Sequence, residues 1–288
     1  MKVLLREKMS KHTSFRIGGE ADVFVVPQSI DELKLLIKYL RENNIIYYIV
    51  GRGTNLLVSD KGLRGCVVNI GSELSKIKVR GTKLEAEAGA QMIQIADEAL
   101  NSGLTGFEQL SGIPGTIGGA IAMNAGAYGR NIDELVISCD VINENNKIVT
   151  ISKKDLDFSY RHSIIEEKGY IVTKVSLRLT EGNKNEILEK MKKIKTIRDT
   201  NQPLDYPSAG SVFKRPENSY ASKLIEESGL KGERVGDAQV SEKHSGFIIN
   251  LGNATEKDVY KLITKIQKTI KTYYNIDLET EIKMWGKL

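Results

Sequence analysis

The spacing of hydrophobic residues changes along the chain between the period of a helix and the period of a strand. From Leu33 to Leu40, apolar residues recur at helical spacing, directly after a capping-box sequence that begins at Ser29. Residues 76–88 instead alternate between apolar and polar about Gly81, which is the pattern of a β-hairpin. The pattern therefore predicts an α+β protein in which helices and strands are interspersed.

The same two periods predict the remaining elements. On the last predicted helix, apolar residues form one face and lysines the other, as is typical of a surface helix with a solvated polar face. Pro203 and Pro207 interrupt the chain after a charged helix and indicate a domain boundary there. The further elements are a helix over 91–100, strands within 134–149 and over 170–179, the charged helix over 183–198, a helix over 219–228, a strand over 246–251 and a long helix from Thr255.

Composition and charge narrow the class of protein. The 288 residues suffice for two or three domains, and the net charge of +5 is mild, so nucleic-acid binding is not indicated. No stretch approaches the roughly 18 apolar residues of a membrane helix, and no signal peptide is recognisable, so we expect a cytoplasmic protein. Cys66 and Cys139 are expected to be buried free thiols. The scattered histidines do not indicate a metal site.

Two glycine-rich turns are candidates for binding an anion. Residues 112–129 are rich in glycine and almost uncharged, and residues 51–55 form a second turn between the apolar runs 45–50 and 56–58. Glycine lacks a Cβ, so neighbouring backbone N–H groups can converge on a phosphate. Neither turn has the P-loop sequence or the G-x-G-x-x-G dinucleotide fingerprint. Tight-turn geometry explains either turn alone, but the pair favours an anionic cofactor.

Three short segments of polar residues are candidates for catalysis: 160–163, 208–216 and 278–283. Arg161 offers a permanently charged fork for a carboxylate or phosphate. Ser211 lies in A-G-S-V-F rather than G-x-S-x-G, so we interpret it as a proton donor and not as a hydrolase nucleophile. Glu281 can orient a donor or stabilise developing charge. Taken singly, each residue also has a structural interpretation, as part of a turn or of the solvated surface.

The order of these motifs resembles the UDP-N-acetylenolpyruvoylglucosamine reductase family over essentially the whole chain. The short spacing between Tyr160 and Ser211 is similar to that of the shorter subclass, which lacks an inserted segment whose tyrosine folds over the substrate. The matching motifs are His12-Thr-Ser-Phe-Arg-Ile-Gly-Gly19, Gly51-Arg-Gly-Thr-Asn55 with Leu56-Leu57-Val58, the run 112–129, Tyr160-Arg161-x-Ser163, Gly210-Ser211-Val-Phe-Lys214 and Glu281-Ile-Lys283.

The resemblance implies a fold and an activity. It implies an FAD-binding domain of the vanillyl-alcohol-oxidase type in two subdomains, 1–70 and 71–198. A substrate-binding α+β domain over 199–288 follows, and its last strand returns to the active site. The implied enzyme is a monomeric, cytoplasmic flavoprotein of peptidoglycan precursor synthesis. It uses NADPH to reduce the enolpyruvyl ether of UDP-N-acetylglucosamine to UDP-N-acetylmuramate, a small-molecule substrate, and has no nucleic-acid or membrane partner.

The resemblance also implies roles for single residues. Hydride transfer to the enolpyruvyl methylene carbon creates a carbanion, which Arg161 and Glu281 would stabilise while Ser211 protonates the adjacent carbon. Tyr160, Lys214, Arg215 and His244 would bind substrate, although the family often has Asn at the Arg215 position and can have Gln at that of His244. The implied FAD contacts are Gly51, Gly53, Thr54, Asn55 and Leu56 in the first turn and Ile113, Pro114, Gly115, Thr116, Gly118, Gly119 and Ala120 in the second.

Two other functions remain open from the sequence. Another FAD enzyme of the same cofactor fold, such as an oxidase of small alcohols, would keep the glycine turns but would not need Arg161, Ser211 and Glu281 together. A non-catalytic module that binds flavin or a nucleotide sugar would tolerate Ser211→Ala. The three polar residues in family order favour the reductase over both.

Overall fold

Helices and strands are interspersed along residues 1–287, which are the residues that the structure, a computed structural model, describes. In chain order the helices are α1 (Ile30–Glu42), α2 (Met92–Asn101), α3 (Ile117–Ala122), α4 (Ile164–Glu167), α5 (Lys184–Asn201), α6 (Ala221–Glu227) and α7 (Glu256–Tyr274). The strands are β1 (Lys2–Lys8), β2 (Glu20–Val26), β3 (Tyr47–Val50), β4 (Leu56–Val58), β5 (Leu63–Asn69), β6 (Ile77–Arg80), β7 (Lys83–Glu87), β8 (Leu104–Thr105), β9 (Gly126–Ala127), β10 (Arg130–Asn131), β11 (Val136–Ile142), β12 (Ile148–Ser152), β13 (Ile171–Arg178), β14 (Thr180–Glu181), β15 (Ser208–Ser211), β16 (Arg234–Val235), β17 (Ala238–Val240), β18 (Phe247–Asn250) and β19 (Lys283–Trp285).

The chain divides into two units, and it passes from one to the other within β1, β2, β5 and α5 and between Arg52 and Gly53. The assignment of cofactor and substrate roles to 1–70, 71–198 and 199–288 stays a prediction. Unit 1 consists of Met1–Leu4, Phe24–Arg52 and Cys66–Arg198, and unit 2 consists of Leu5–Val23, Gly53–Gly65 and the chain from Asp199 onward.

The main sheet of unit 1 is antiparallel, with the strand order β12-β11-β13-β7-β6. Strands β6 and β7 form the hairpin that the alternation predicts, with Val79 opposite Leu84. Leu84, Val175 and Leu177 are fully buried, so one face of this sheet packs into the core of the unit. Strand β3 pairs in parallel with β5 elsewhere in the unit.

Helix α1 precedes β3 and begins where the sequence predicts. The Ser29 side chain accepts a hydrogen bond from the backbone N–H of Glu32 at 3.1 Å and so caps the first turn. Leu33, Ile37 and Leu40 are buried, at the helical spacing that the sequence shows. The apolar stripe therefore holds α1 against its unit.

Unit 2 contains the antiparallel sheet β15-β18-β17-β16 and the parallel pair β4 and β19. Thr255 and Asp258 form a capping box at the start of α7. Its apolar face is buried and its lysines are exposed, as predicted. The buried face belongs to a core cluster that includes Val259, Leu262, Ile263, Ile266 and Ile270.

One helix, α3, was not indicated by the sequence. The glycine run contains α3, which its composition did not indicate because glycine is a poor helix former.

Cys66 and Cys139 are free and buried, as predicted. Within residues 1–287, no helix combines the length and the apolar character that crossing a bilayer demands.

Candidate active site

A cavity of about 240 Å³ lies within unit 1, between β3, α3, α4 and the start of β13. Its lining combines apolar side chains, two tyrosines and a strip of glycine. The fifteen lining residues are Tyr47, Ile49, Gly51, Ile70, Ala88, Thr116, Gly118, Gly119, Ala122, Ile165, Glu166, Gly169, Tyr170, Ile171 and Val172.

The lining glycines Gly51 and Gly118 allow close packing of neighbouring protein segments, and Gly119 leaves its backbone open to the cavity. A Cβ on Gly51 would overlap Thr116 Oγ1, and one on Gly118 would lie 2.9 Å from Ala88 Cβ. A Cβ on Gly119 would meet only Thr116 Oγ1, at 3.6 Å, outside its own helix. Bare backbone beside an apolar chamber suits a cofactor with a phosphate group and an aromatic ring, as FAD has.

Asn69, which the sequence did not single out, holds the first glycine turn in place, and Thr116 caps α3 beside it. The amide of Asn69 donates to the carbonyl oxygens of Gly51, at 2.7 Å, and of Val50, at 3.2 Å. Thr116 caps α3 by accepting the N–H of Gly119 at 3.5 Å. Nothing in the sequence around Asn69 indicates this role, because an asparagine after a strand is also an ordinary turn residue.

The predicted cofactor residues fall into two groups. Within unit 1, Gly51, Thr116, Gly118 and Gly119 line the cavity, while Ile113, Pro114, Gly115 and Ala120 lie in the same glycine-rich run. Gly53, Thr54, Asn55 and Leu56 belong to unit 2, where they lead into β4.

Arg161 lies at the tip of a tight turn in unit 1. Ser159 and His162 pair across the turn through two backbone hydrogen bonds of 3.2 Å. The guanidinium lies 5.1 Å from the centre of the Tyr160 ring and donates to the carbonyl oxygen of Gly126 at 3.4 Å. The turn therefore presents a cation stacked on an aromatic ring beside the glycine-rich run.

Two buried polar side chains tie this turn to α3. Ser163, which is 1% exposed, donates to the carbonyl oxygen of Ala122 at 2.8 Å. Asn124 donates to the carbonyl oxygen of Ser159 at 2.9 Å. The serine of the Tyr160-Arg161-x-Ser163 motif thus serves to anchor the turn.

The segments of Ser211 and Glu281 are adjacent in unit 2. Glu281 donates its backbone N–H to the carbonyl oxygen of Val212 at 2.7 Å, next to Ser211 at the end of β15. Asn55, from the first glycine turn, donates its side-chain amide to the carbonyl oxygen of Glu281 at 3.0 Å. Glu281 itself precedes the terminal strand β19 rather than lying within it.

Lys214 and Arg215 each have a partner within unit 2. Lys214 forms an ion pair with Glu279, at 2.9 Å, and its backbone N–H donates to the Glu279 carbonyl oxygen. The guanidinium carbon of Arg215 lies 3.9 Å from the centre of the Tyr220 ring. Two cations thus lie three and four residues after Ser211 in the chain.

His244 lies close to Ser211 through β18. Ser211 pairs with Phe247, and the His244 ring meets the edge of the Phe247 ring at 5.0 Å between centres. His244 Nδ1 accepts the N–H of Gly246 at 3.1 Å. Burial lowers the pKa of His244, which favours a neutral ring at this position.

Models of known protein families match both halves of the chain. A model of an FAD binding domain matches residues 21–152, and a model of the C-terminal domain of UDP-N-acetylenolpyruvoylglucosamine reductase matches residues 202–285. These matches and the relatives below define an FAD-dependent oxidoreductase, and they confirm the expected α+β fold with its FAD-binding domain.

Full-length relatives identify the family. UDP-N-acetylenolpyruvoylglucosamine reductase from Caldanaerobacter subterraneus subsp. tengcongensis is 55% identical over 99% of this chain and 94% of the relative. The reductase of that name from Clostridium novyi is 48% identical over 97% and 91%. The crystal structure of UDP-N-acetylenolpyruvylglucosamine reductase from Thermus caldophilus matches with a TM-score of 0.85, at 34% identity over 99% of this chain and 98% of that one. The chain belongs to the UDP-N-acetylenolpyruvoylglucosamine reductase family, which confirms the resemblance.

Proposed function

We propose that this protein uses NADPH to reduce the enolpyruvyl ether of UDP-N-acetylglucosamine to UDP-N-acetylmuramate. We further propose that it acts in the cytoplasm, as a monomer, in peptidoglycan precursor synthesis. The observation that supports the proposal is the backbone hydrogen bond between Glu281 and Val212, because it ties the segment of Glu281 to the residue that follows Ser211. Membership of the reductase family supports the choice of substrate.

FAD is the cofactor that the cavity of unit 1 would hold. Gly51, Thr116, Gly118 and Glu166 would contact it from the lining, and the glycine backbone would face its phosphates. When bound, FAD supplies hydride transfer, for which no side chain of this protein has the chemistry.

Arg161 and Glu281 would stabilise the negative charge that develops on the substrate. A guanidinium stays ionised at any pH at which the enzyme works, so Arg161 can bind the substrate carboxylate as a bidentate fork. Negative charge spreads onto that carboxylate when hydride reaches the methylene carbon, and a prepositioned cation stabilises it. Glu281 would fix the carboxylate region by sharing a proton.

Ser211 would complete the reaction by donating its hydroxyl proton to the carbon that bears the carboxylate. A serine hydroxyl is a weak acid, so this role needs close placement and a strongly basic acceptor such as a carbanion. Ser211 is half-buried at the end of β15, which limits competition from water.

Tyr160, Lys214, Arg215 and His244 would bind the remainder of the substrate. Lys214 and Arg215 offer positive charge for the diphosphate. The lowered pKa of His244 makes its ring a hydrogen-bonding partner rather than a cation.

Anaerobic NADPH oxidation by the FAD-loaded protein tests the proposal, with and without an excess of the enolpyruvyl ether. We expect many turnovers with this substrate and one flavin reduction without it. A single reduction that stalls in the presence of substrate would refute the substrate assignment and favour another flavoenzyme of the same cofactor fold. No flavin reduction at all would refute the choice of NADPH.

A further inference from the structure

Arg41, on α1, makes hydrogen bonds to four different groups of unit 1. Its Nε donates to the Tyr47 hydroxyl at 3.0 Å, and Nη2 donates to the Gly169 carbonyl oxygen at 2.8 Å. Nη1 donates to the Asn143 carbonyl oxygen at 2.5 Å and to Asn146 Oδ1 at 2.9 Å. The planar fork of a guanidinium is the one side-chain group that can serve so many acceptors at fixed angles.

Two of these acceptors belong to residues that line the FAD cavity. Tyr47 contributes from β3, and Gly169 contributes from the turn before β13. Arg41 does not line the cavity itself but contacts two residues that do. Because a hydrogen bond to a charged donor fixes both distance and direction, the guanidinium sets the position of one wall relative to the other.

The turn between β11 and β12 supports the same end of the cavity. Arg41 binds this turn at Asn143 and Asn146. Burial, the charge of Glu144 and a hydrogen bond to its carboxylate raise the pKa of Tyr170, a lining residue next to Gly169. The turn is therefore joined to the cavity wall through Arg41.

We propose that Arg41 is a positioning residue of the FAD cavity, and that its guanidinium holds the Tyr47 and Gly169 walls at the spacing that retains bound FAD. The inference rests on the FAD site of the proposed function. It adds a determinant of cofactor affinity that lies on α1, outside every motif that the sequence offers.

The test measures FAD release from the full-length holoenzyme after dilution, followed by the recovery of FAD fluorescence. Arg41→Gln should release FAD about tenfold faster or more, because a lost hydrogen bond to a charged group costs enough for such a change. Lys38→Gln removes one positive charge from the same helix, where Lys38 is 3.7 Å from Glu42 and exposed, and should release FAD at the wild-type rate.

A second pair of variants separates positioning from a general loss of stability. Tyr47→Phe removes only the hydroxyl that accepts Arg41 Nε, and should speed FAD release by itself. In the Arg41→Gln background the same change should add little, because the bond is already absent. Arg41→Lys keeps the charge but not the fork and should resemble Arg41→Gln.

Several results would overturn the role of Arg41. One is a folded Arg41→Gln variant that releases FAD at the wild-type rate. Another is an Arg41→Lys variant that releases FAD at the wild-type rate. A lower melting temperature with unchanged FAD release would assign Arg41 a purely structural role. If Arg41→Gln does not fold, the proposal is refuted instead by a Tyr47→Phe variant that releases FAD at the wild-type rate. If the wild-type protein binds no FAD, the proposed function is refuted. If the wild-type protein binds FAD and the variants release it at the wild-type rate, only the role of Arg41 is refuted.

Discussion

Glu281 and Val212 are joined by a backbone hydrogen bond of 2.7 Å, although 69 positions separate them in the sequence. Asn55 donates to the carbonyl oxygen of Glu281 at 3.0 Å, so a residue of the first glycine turn is part of the same arrangement. The proposed proton donor Ser211 precedes Val212 directly. A backbone hydrogen bond and the side-chain amide of Asn55 therefore fix the backbone of Glu281 beside the segment that carries Ser211.

Ser211→Ala should separate the two halves of the reaction. We expect FAD binding and NADPH-driven flavin bleaching at wild-type levels, with product formation lowered about 10²–10⁴-fold, the usual contribution of a general acid. Rapid-mixing absorbance of the flavin and chromatography of the product measure the two halves. Ser208→Ala, on the same strand, is the matched control. Product formation at the normal rate by Ser211→Ala would contradict its role as proton donor.

Gly119→Ala should lower FAD affinity without harming the fold. An added methyl group meets only Thr116 Oγ1, at 3.6 Å, outside the helix itself, and Gly119 lines the cavity. Alanine in place of a helical glycine stabilises a protein by about 0.4–1 kcal/mol, so unfolding should need the same or more denaturant. Equilibrium titration with FAD and chemical unfolding give the two quantities.

Gly118→Ala provides the contrast to this variant. Its Cβ would lie 2.9 Å from Ala88 Cβ, so the fold and FAD binding should both be impaired. FAD affinity unchanged in Gly119→Ala would show that the glycine side of the cavity does not receive the cofactor.

The sequence predicted most elements because their signals are local. The cap at Ser29, the hairpin about Gly81 and the two faces of α7 all depend on residues within a few positions of one another. Helix α3 was missed because glycine disfavours helices, and its formation depends on the capping by Thr116 and on burial of Ile117 and Ile121.

The site was predictable only where motifs carry it. The glycine turns and the polar segments around Ser211 and Glu281 can be recognised from the sequence, whereas the residues of the cavity wall cannot. Tyr47 and Tyr170 lie in apolar strand-like segments that look the same whether they pack in a core or face a cavity. The contacts of Arg41 join segments more than one hundred residues apart, and no local pattern encodes them.

Both cysteines should be unreactive in the native protein. Burial raises the pKa of Cys66 to about 11, and burial together with the charge of Asp140 raises the pKa of Cys139 further still. The thiolate is the reactive form, so neither thiol should react with a disulfide reagent at pH 8, whereas both should react in denaturant. Lys154→Cys, at an exposed position, supplies a reactive control. Reaction of a native cysteine as fast as that control would contradict the burial.

Glu256→Gln should stabilise the protein at neutral pH. Burial raises the pKa of Glu256 and the nearby Asp60 carboxylate raises it further, and together these two effects outweigh the opposite effect of Lys61 and Lys257. The two acids are close because the Glu256 N–H donates to Asp60 Oδ2 at 2.8 Å. A raised folded-state pKa means that the folded protein binds this proton more tightly than the unfolded chain does.

The sign of the pH dependence follows from that difference. The contribution of Glu256 to stability is fully present below its ordinary pKa, when the group is protonated, and is lost as pH rises through the raised folded-state value. Glu256→Gln keeps an uncharged side chain at every pH, so its advantage in the free energy of unfolding should appear near neutral pH and vanish in acid. Urea unfolding of both proteins across this range measures the difference, with Glu227→Gln as a control for the loss of one surface charge. An advantage for Glu256→Gln that is equally large in acid would show that ionisation of Glu256 is not its source.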